Sequence, residues 1–385
     1  MDPSLQQFRE RVIATADGEA LRLRDNSSTE WQVLQNFRET VLSASAERRP
    51  VRLRGSGSKD WYGQAVHGEL IDTADYAGIV EYEPTELVIT ARCGTPLAEI
   101  EAALAEQRQM LAFEPPWFGP NATVGGMVSA GLAGPRRQAV GSVRDFVLGA
   151  DLMDGRGDVL HFGGRVMKNV AGYDVSRLLA GAMGSLGIVL EVSLKVLPLP
   201  LAETTLRFEF RQADAIVKLN EWAGLPLPIT ASAWHDGVLM LRLSGAAPAL
   251  AAAQQRIGGE TVEQGDRFWI ALREQSNEFF RAAQPAPAGP GLSLWRLSLP
   301  PLTKPVLPGL PTLIEWGGAQ RWVLGEASAA MLSDQHGNPA GQDGAAEAQA
   351  VQIRAAAAAA GGHATLFRGG DKRLGVFQPL APAVA

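Results

Sequence analysis

Gly187-Ile188-Val189-Leu190-Glu191-Val192-Ser193-Leu194-Lys195-Val196 carries the cleanest alternation in the chain. Ile188, Leu190, Val192, Leu194 and Val196 project one way, and Glu191, Ser193 and Lys195 the other. A period of two predicts a strand with one face in a core and the other toward water. Upstream, Phe146 to Met153 and Val159 to Phe162 predict two more strands, joined at Asp154-Gly155-Arg156-Gly157, a hairpin turn signal. Val51-Arg52-Leu53-Arg54 and Glu86 to Ala91 also read as strands. Helical pieces fall among them. Leu34, Phe37 and Val41 mark an amphipathic stretch within residues 1–45. Leu97, Ile100, Ala103 and Leu104 give a helix one apolar face, with Thr95 expected as its cap and Pro96 as its first residue. Asp174 to Leu179 predicts a short helix closed by Gly181. Strands and helices without regular β–α alternation predict an α+β fold rather than a doubly wound sheet.

Pro198 and Pro200 end this pattern, so a domain boundary is expected near residue 200. The expected parts are a helical segment 1–45, a domain 46–200 and a domain 201–385. The last mixes strand-like pieces (Thr205–Phe210, Val238–Leu243, Arg321–Leu324) with Ala-rich helices. Pro-rich stretches at 285–290 and 300–311 read as loops, and 334–344 as a mobile connection. Ala345 to Ala360 reads as a helix stopped by Gly361-Gly362.

Composition narrows the function. The 385 residues are 46% hydrophobic and 20% charged, ordinary for two or three globular domains. Net charge is 35 − 41 = −6, which disfavours nucleic acid as a partner. A single cysteine, Cys93, makes neither an internal disulfide nor, alone, a metal site, and fits a reducing cytoplasm. The charged start, Met1 to Arg11, lacks the apolar core of a signal peptide. The longest uncharged run, Pro115 to Pro135, holds five glycines and four prolines, too many for a transmembrane segment.

Four glycine-rich segments could carry chemistry. In Arg54-Gly55-Ser56-Gly57-Ser58-Lys59, small residues let backbone N–H groups converge on an anion, with a cation at either end. That suits a pyrophosphate, although neither the Walker spacing nor Gly-x-Gly-x-x-Gly before a helix is present. An ordinary polar loop is the plainer alternative. Asn121-Ala122-Thr123-Val124-Gly125-Gly126-Met127-Val128-Ser129-Ala130-Gly131 puts glycines at a helix start, each costing about 1 kcal/mol relative to alanine. Close approach of a large ligand, or tight packing on a sheet, could offset that. Gly141-Ser142-Val143-Arg144-Asp145 and Met183-Gly184-Ser185-Leu186-Gly187-Ile188 are turns that feed strands.

Taken in order with Pro84-Thr85-Glu86-Leu87-Val88-Ile89-Thr90-Ala91, Gly94-Thr95-Pro96-Leu97, Glu114-Pro115-Pro116 and Val166-Met167-Lys168-Asn169-Val170-Ala171-Gly172-Tyr173-Asp174, these segments resemble one family. It is the vanillyl-alcohol-oxidase type of FAD-binding protein, also called the p-cresol methylhydroxylase type. Within it the chain resembles the FAD-binding subunits of bacterial glycolate oxidases over about residues 50–375, with Ile314 to Ala319 and Gly361 to Thr365 included. The resemblance implies two α+β subdomains holding FAD, then an α+β cap with an antiparallel sheet. It implies that Gly55, Ser56, Gly57 and Ser58 hold the pyrophosphate. Thr123, Gly125 and Gly126 would line the ribityl and phosphate region, with Ser129 nearby. Gly141 and Ser142 would approach the flavin, and Gly187 and Ile188 the adenine. Lys168 and Tyr173 are candidate polar groups of the flavin site, with a surface lysine at a hairpin exit as the plainer alternative.

It also implies a multi-subunit enzyme that oxidises glycolate to glyoxylate. A catalytic flavoprotein subunit and an iron–sulfur subunit would be the partners, in the cytoplasm or peripheral at the inner membrane. Three departures bear on this. Many relatives attach flavin through a histidine of the pyrophosphate loop. None stands here, His67 being nearest, so FAD is expected to be non-covalent. The cap of catalytic relatives carries a His-x-Gly-Asp-Gly-Asn-x-His cluster, whereas this one has only His235, His336 and His363, far apart in sequence. The family's Asn-Pro-Gly-Arg-Met-Tyr-like tail is also absent before Ala385. No catalytic or metal-binding residue is therefore assigned. A self-sufficient FAD-dependent 2-hydroxyacid oxidoreductase and a scaffold without flavin stay open as alternatives. Arg136-Arg137 is expected to be a solvated pair, His363 a structural histidine, and Cys93 a small buried hydrophobe. Trp222, Trp234, Trp295, Trp316 and Trp322 are expected to pack the cap or meet a partner.

Overall fold

The computed structural model describes residues 27–164, 173–284, 292–326 and 343–378. Contacts divide the chain into two units. The first comprises residues up to 60, 66–134 and 141–199; the second takes 61–65, 135–140 and everything from 200 onward.

The first unit opens with helix α1 (Ser27–Ala46). Strands β1 (Val51–Arg54) and β2 (Glu69–Asp72) pair in parallel. Next come β3 (Ile79–Glu83), β4 (Val88–Arg92), α2 (Leu97–Glu106), β5 (Gln109–Met110) and α3 (Val124–Ala130). Strands β6 (Val147–Met153), β7 (Val159–Gly163), β8 (Ile188–Lys195) and β9 (Leu197–Pro198) finish the unit. Five strands form an antiparallel sheet in the order β3-β4-β8-β6-β7. The β6–β7 turn closes as expected. Asp154 Oδ1 accepts from the amides of Arg156 (2.8 Å) and Asp158 (3.1 Å), and Gly157 takes a φ of +74°. The apolar stripe of α1, Leu34, Phe37 and Val41, packs with Ile71, Tyr76, Cys93, Ile188 and Leu190.

Two local expectations change. The alternation of β8 does not separate core from water, because Ile188 through Leu194 are all buried. Its polar residues face a buried network. Glu191 accepts from Tyr76 Oη (3.2 Å) and lies 3.9 Å from Arg92, which is itself paired to Glu30 at 2.8 Å. Thr90 and Ser193 share a hydroxyl–hydroxyl bond of 2.8 Å. Thr95 does not cap α2, since Pro96 holds the cap position. Instead the Thr95 hydroxyl accepts from Gly78 N (2.9 Å) and donates to Gly78 O (3.0 Å).

The second unit holds β10 (Ala202–Glu209), α4 (Gln212–Ala223), β11 (Ile229–His235), β12 (Val238–Gly245), α5 (Ala247–Ile257), β13 (Glu260–Thr261) and α6 (Gly265–Arg273). Then follow β14 (Ser293–Ser298), β15 (Thr312–Glu315), β16 (Gln320–Gly325), α7 (Asp343–Ala359) and β17 (His363–Arg368). Eight strands make one antiparallel sheet, β13-β10-β12-β11-β15-β16-β14-β17. Leu206, Leu239, Leu241 and Trp234 pack with Ile216, Leu219 and Trp222 of α4 and Leu250 of α5. Trp295, Leu297 and Val323 pack with Ala350, Ile353 and Ala357 of α7. The alanine-rich helix thus sits where expected and ends at Gly361, with φ +76°. Both units combine antiparallel sheets with segregated helices, so the fold is α+β.

Candidate functional site

The first glycine loop leaves β1 at Arg54, and the second opens α3 at Thr123. The two touch. A Cβ built on Gly55 would lie 2.4 Å from Thr123 Oγ1, so the loop backbone rests directly on the start of α3. Three residues on, Ser58 Cβ would be 3.5 Å from a Cβ on Gly119. Lys59 Nζ donates to Trp117 O at 3.2 Å and lies 5.8 Å from the Phe118 ring centre. The expected juxtaposition of the two segments is therefore present within the first unit.

The loop has the donors an anion needs. Gly57 adopts φ +77°, and Ser56 Oγ accepts from Ser58 N at 3.4 Å. Among the described residues the amides of Ser56 and Gly57 have no acceptor. Two adjacent amides without a protein acceptor, beside a left-handed glycine, are the donor type that anion-binding loops use. Arg54 folds over the loop so closely that a Cβ on Gly57 would meet its guanidinium at 2.4 Å. Asp60 anchors that arginine at 3.0 Å and also Arg52 at 2.6 Å. Arg54 and Lys59 thus flank the loop with positive charge, as their spacing suggested. These residues fit a diphosphate, the polar centre of FAD.

Other predicted site residues are engaged differently. Thr123 is the N-cap of α3, its Oγ1 accepting from Gly126 N at 3.3 Å. Gly125 donates its amide to Cys93 O at 2.7 Å, and a Cβ there would strike Cys93 Cβ at 2.7 Å. The glycine cost at this helix start is therefore offset by close packing on the end of β4. Ser129 gives its carbonyl to Met183 N at 2.9 Å. Ser142 directs both its amide (2.7 Å) and hydroxyl (3.0 Å) to Asp145 Oδ2, after Gly141 with φ +97°. Gly187, with φ +141°, lies so close to β6 that a Cβ would meet Met153 O at 2.4 Å. Ile188 points into the core beside α1. Lys168 lies outside the described residues, and Tyr173 is 93% exposed.

Sequence reasoning missed Trp117, Phe118 and Gly119 beside Lys59. The signal available was Glu114-Pro115-Pro116, which opens a turn with positive φ at Glu114 (50°), Phe118 (52°) and Gly119 (153°). Arg136 is not solvated as expected. It is 4% exposed, bonding Glu203 at 2.5 Å and Ser244 at 3.2 Å, and Arg137 stacks 4.2 Å over Trp316. Cys93 is buried as expected, and burial pushes its thiol up to about 12. Of the expected tryptophans, Trp222, Trp234, Trp295 and Trp322 are buried. No cluster of three metal-ligating side chains exists among the described residues. No helix among them is long and apolar enough to cross a membrane.

Residues 34–163 match the model of the FAD binding domain. The chain is 46% identical over 350 residues to the glycolate oxidase subunit GlcE of Escherichia coli K12, covering 90% of this chain and 89% of that protein. It is 31% identical over 179 residues to the glycolate oxidase subunit GlcD of Bacillus subtilis, and 28% over 192 residues to a D-lactate dehydrogenase of Archaeoglobus fulgidus. Those two matches span only 38% and 42% of the relatives' lengths. A solved alkyldihydroxyacetonephosphate synthase shares the fold, with a TM-score of 0.61 at 12% identity over 85% of this chain and 70% of that one. Near-complete coverage of both chains at 46% identity, together with the matched domain, means that the chain belongs to the family of the glycolate oxidase subunit GlcE and carries its FAD-binding domain.

Proposed function

We propose that this chain is the FAD-binding subunit of a multi-subunit glycolate oxidase. In this reading it helps oxidise glycolate to glyoxylate with a catalytic flavoprotein subunit and an iron–sulfur subunit. When bound, FAD would supply the two-electron acceptor that takes the hydride from a CH–OH group. The chain's own residues bind and orient. Ser56 and Gly57 donate their unmet amides to the diphosphate, while Arg54 and Lys59 offset its charge. Gly55, Ser58, Thr123, Gly125, Gly126 and Ser129 shape the cleft by backbone and capping contacts. In this reading Gly141 and Ser142 approach the flavin, and Gly187 and Ile188 the adenine. With no histidine in the loop, FAD is dissociable. The complex works in the cytoplasm or at the inner-membrane surface.

The observation that carries this reading is the contact of Gly55 with Thr123, which sets the loop against the start of α3. The test is the absorbance spectrum of the purified chain, alone and co-expressed with the two partner subunits. Flavin bands released by acid support the proposal. A colourless protein in both preparations, with no stabilisation by added FAD, refutes it. If FAD binds, thermal unfolding shifts with ligand concentration, by about 2.7 kcal/mol at a hundredfold excess over Kd.

A further inference from the structure

Strands β14 and β17 set a polar group on one face of the second unit's sheet. Arg296 stands opposite Thr365, and Ser298 opposite His363. Antiparallel partners and residues two apart share a face, so all four side chains project to the same side. Arg296 and His363 are then diagonal neighbours, about 7–8 Å apart at the backbone. The Arg296 guanidinium is oriented by aromatic groups. Its Nη2 donates to Tyr62 Oη at 3.2 Å, and its carbon lies 6.0 Å from the Tyr62 ring centre and 5.4 Å from that of Phe367. Among the described residues no carboxylate pairs with Arg296. It is half-buried and His363 is exposed, so a small molecule can reach both.

We infer that Arg296, Ser298 and His363 form a binding site for a small 2-hydroxy- or 2-oxocarboxylate. Arg296 receives the carboxylate, since a planar guanidinium matches it and still has donors left beyond the bond to Tyr62. Ser298 and His363 hydrogen-bond the oxygen on the adjacent carbon. Although one side of its ring is open to solvent, partial desolvation against the sheet, and then the charge of Arg296, hold His363 below its ordinary value, so its ring is neutral at pH 7 and can accept a hydroxyl hydrogen bond. This is binding by residues other than the histidine cluster of catalytic relatives, on a cap that lacks that cluster. The ligand class rests on the oxidoreductase reading above; the geometry belongs to the second unit and does not.

The test uses the full chain with histidine labelled for NMR and oxalate as probe, at constant ionic strength. His363→Gln assigns one of the five histidine signals. Oxalate is expected to shift the His363 signal to saturation, and Arg296→Leu to weaken that response at least tenfold, with Arg296→Lys between. No saturable shift in the wild-type chain overturns the inference, as does an equal response to inorganic phosphate or an unchanged affinity in Arg296→Leu. The wild-type titration decides the matter even if the leucine variant folds poorly. Absence of FAD would sink the flavin reading and leave this titration untouched, whereas an unmoved His363 signal in FAD-replete protein would sink this inference alone.

Discussion

Gly55→Ala tests the packing of the loop on α3. The added Cβ would lie 2.4 Å from Thr123 Oγ1 and 3.3 Å from its Cγ2, while ordinary contacts begin near 3.4 Å. The side chain cannot yield freely, because Oγ1 caps α3 through Gly126 N. If Thr123 rotates away, the cap is lost at about 1 kcal/mol. If the loop moves instead, by about 1 Å, the amides of Ser56 and Gly57 leave their positions. Hydrogen bonds to a charged group contribute about 1.5–3 kcal/mol each, so losing both should lower FAD affinity roughly a hundred- to ten-thousandfold. Thr123→Ala alone should cost only the cap. In the double variant the nearest remaining atom is Thr123 Cβ at 3.4 Å, an ordinary contact, so the clash is gone. Urea unfolding and FAD titration of all four proteins form a double-mutant cycle. The double variant should match Thr123→Ala, leaving a coupling of about 1 kcal/mol or more. Additive effects, or wild-type FAD affinity in Gly55→Ala, would refute the reasoning.

Three further outcomes follow from buried polar groups. Tyr76→Phe removes a donor from Glu191, itself 4% exposed, and should lower urea stability by about 1–3 kcal/mol. Burial acts to raise the Glu203 carboxyl, but hydrogen bonds from Ser244 and Arg136 outweigh it and hold the group below 4.5. That stability is present above the unfolded value and lost as pH falls through the folded one, so Arg136→Met should flatten the decline below about pH 4.5 in acid titrations of stability. Buried and pushed up to about 12, the Cys93 thiol should ignore a thiol reagent at pH 8 in the native state and react at the rate of unfolding of its unit.

The sequence alone determined the local elements. Hairpin chemistry at Asp154 to Gly157, the stripe Leu34, Phe37 and Val41, and the glycine stop after the alanine-rich helix depend on neighbours a few residues away. Local conformational preference therefore suffices to read them. The flexible glycine–serine loop of residues 54–59 was legible for the same reason. Only tertiary structure decided which partner each residue meets. Thr123 caps a helix while Gly55 rests on it, across 68 positions of chain, and Gly125 is glycine because Cys93 lies beneath it. Glu191 and Ser193 alternate like solvent-facing residues, yet they are buried because Tyr76, Arg92 and Thr90 satisfy them. Arg136 reads as surface and is buried against Glu203. A polar side chain leaves water only when partners replace its lost hydrogen bonds, and those partners come from distant segments that no local pattern encodes.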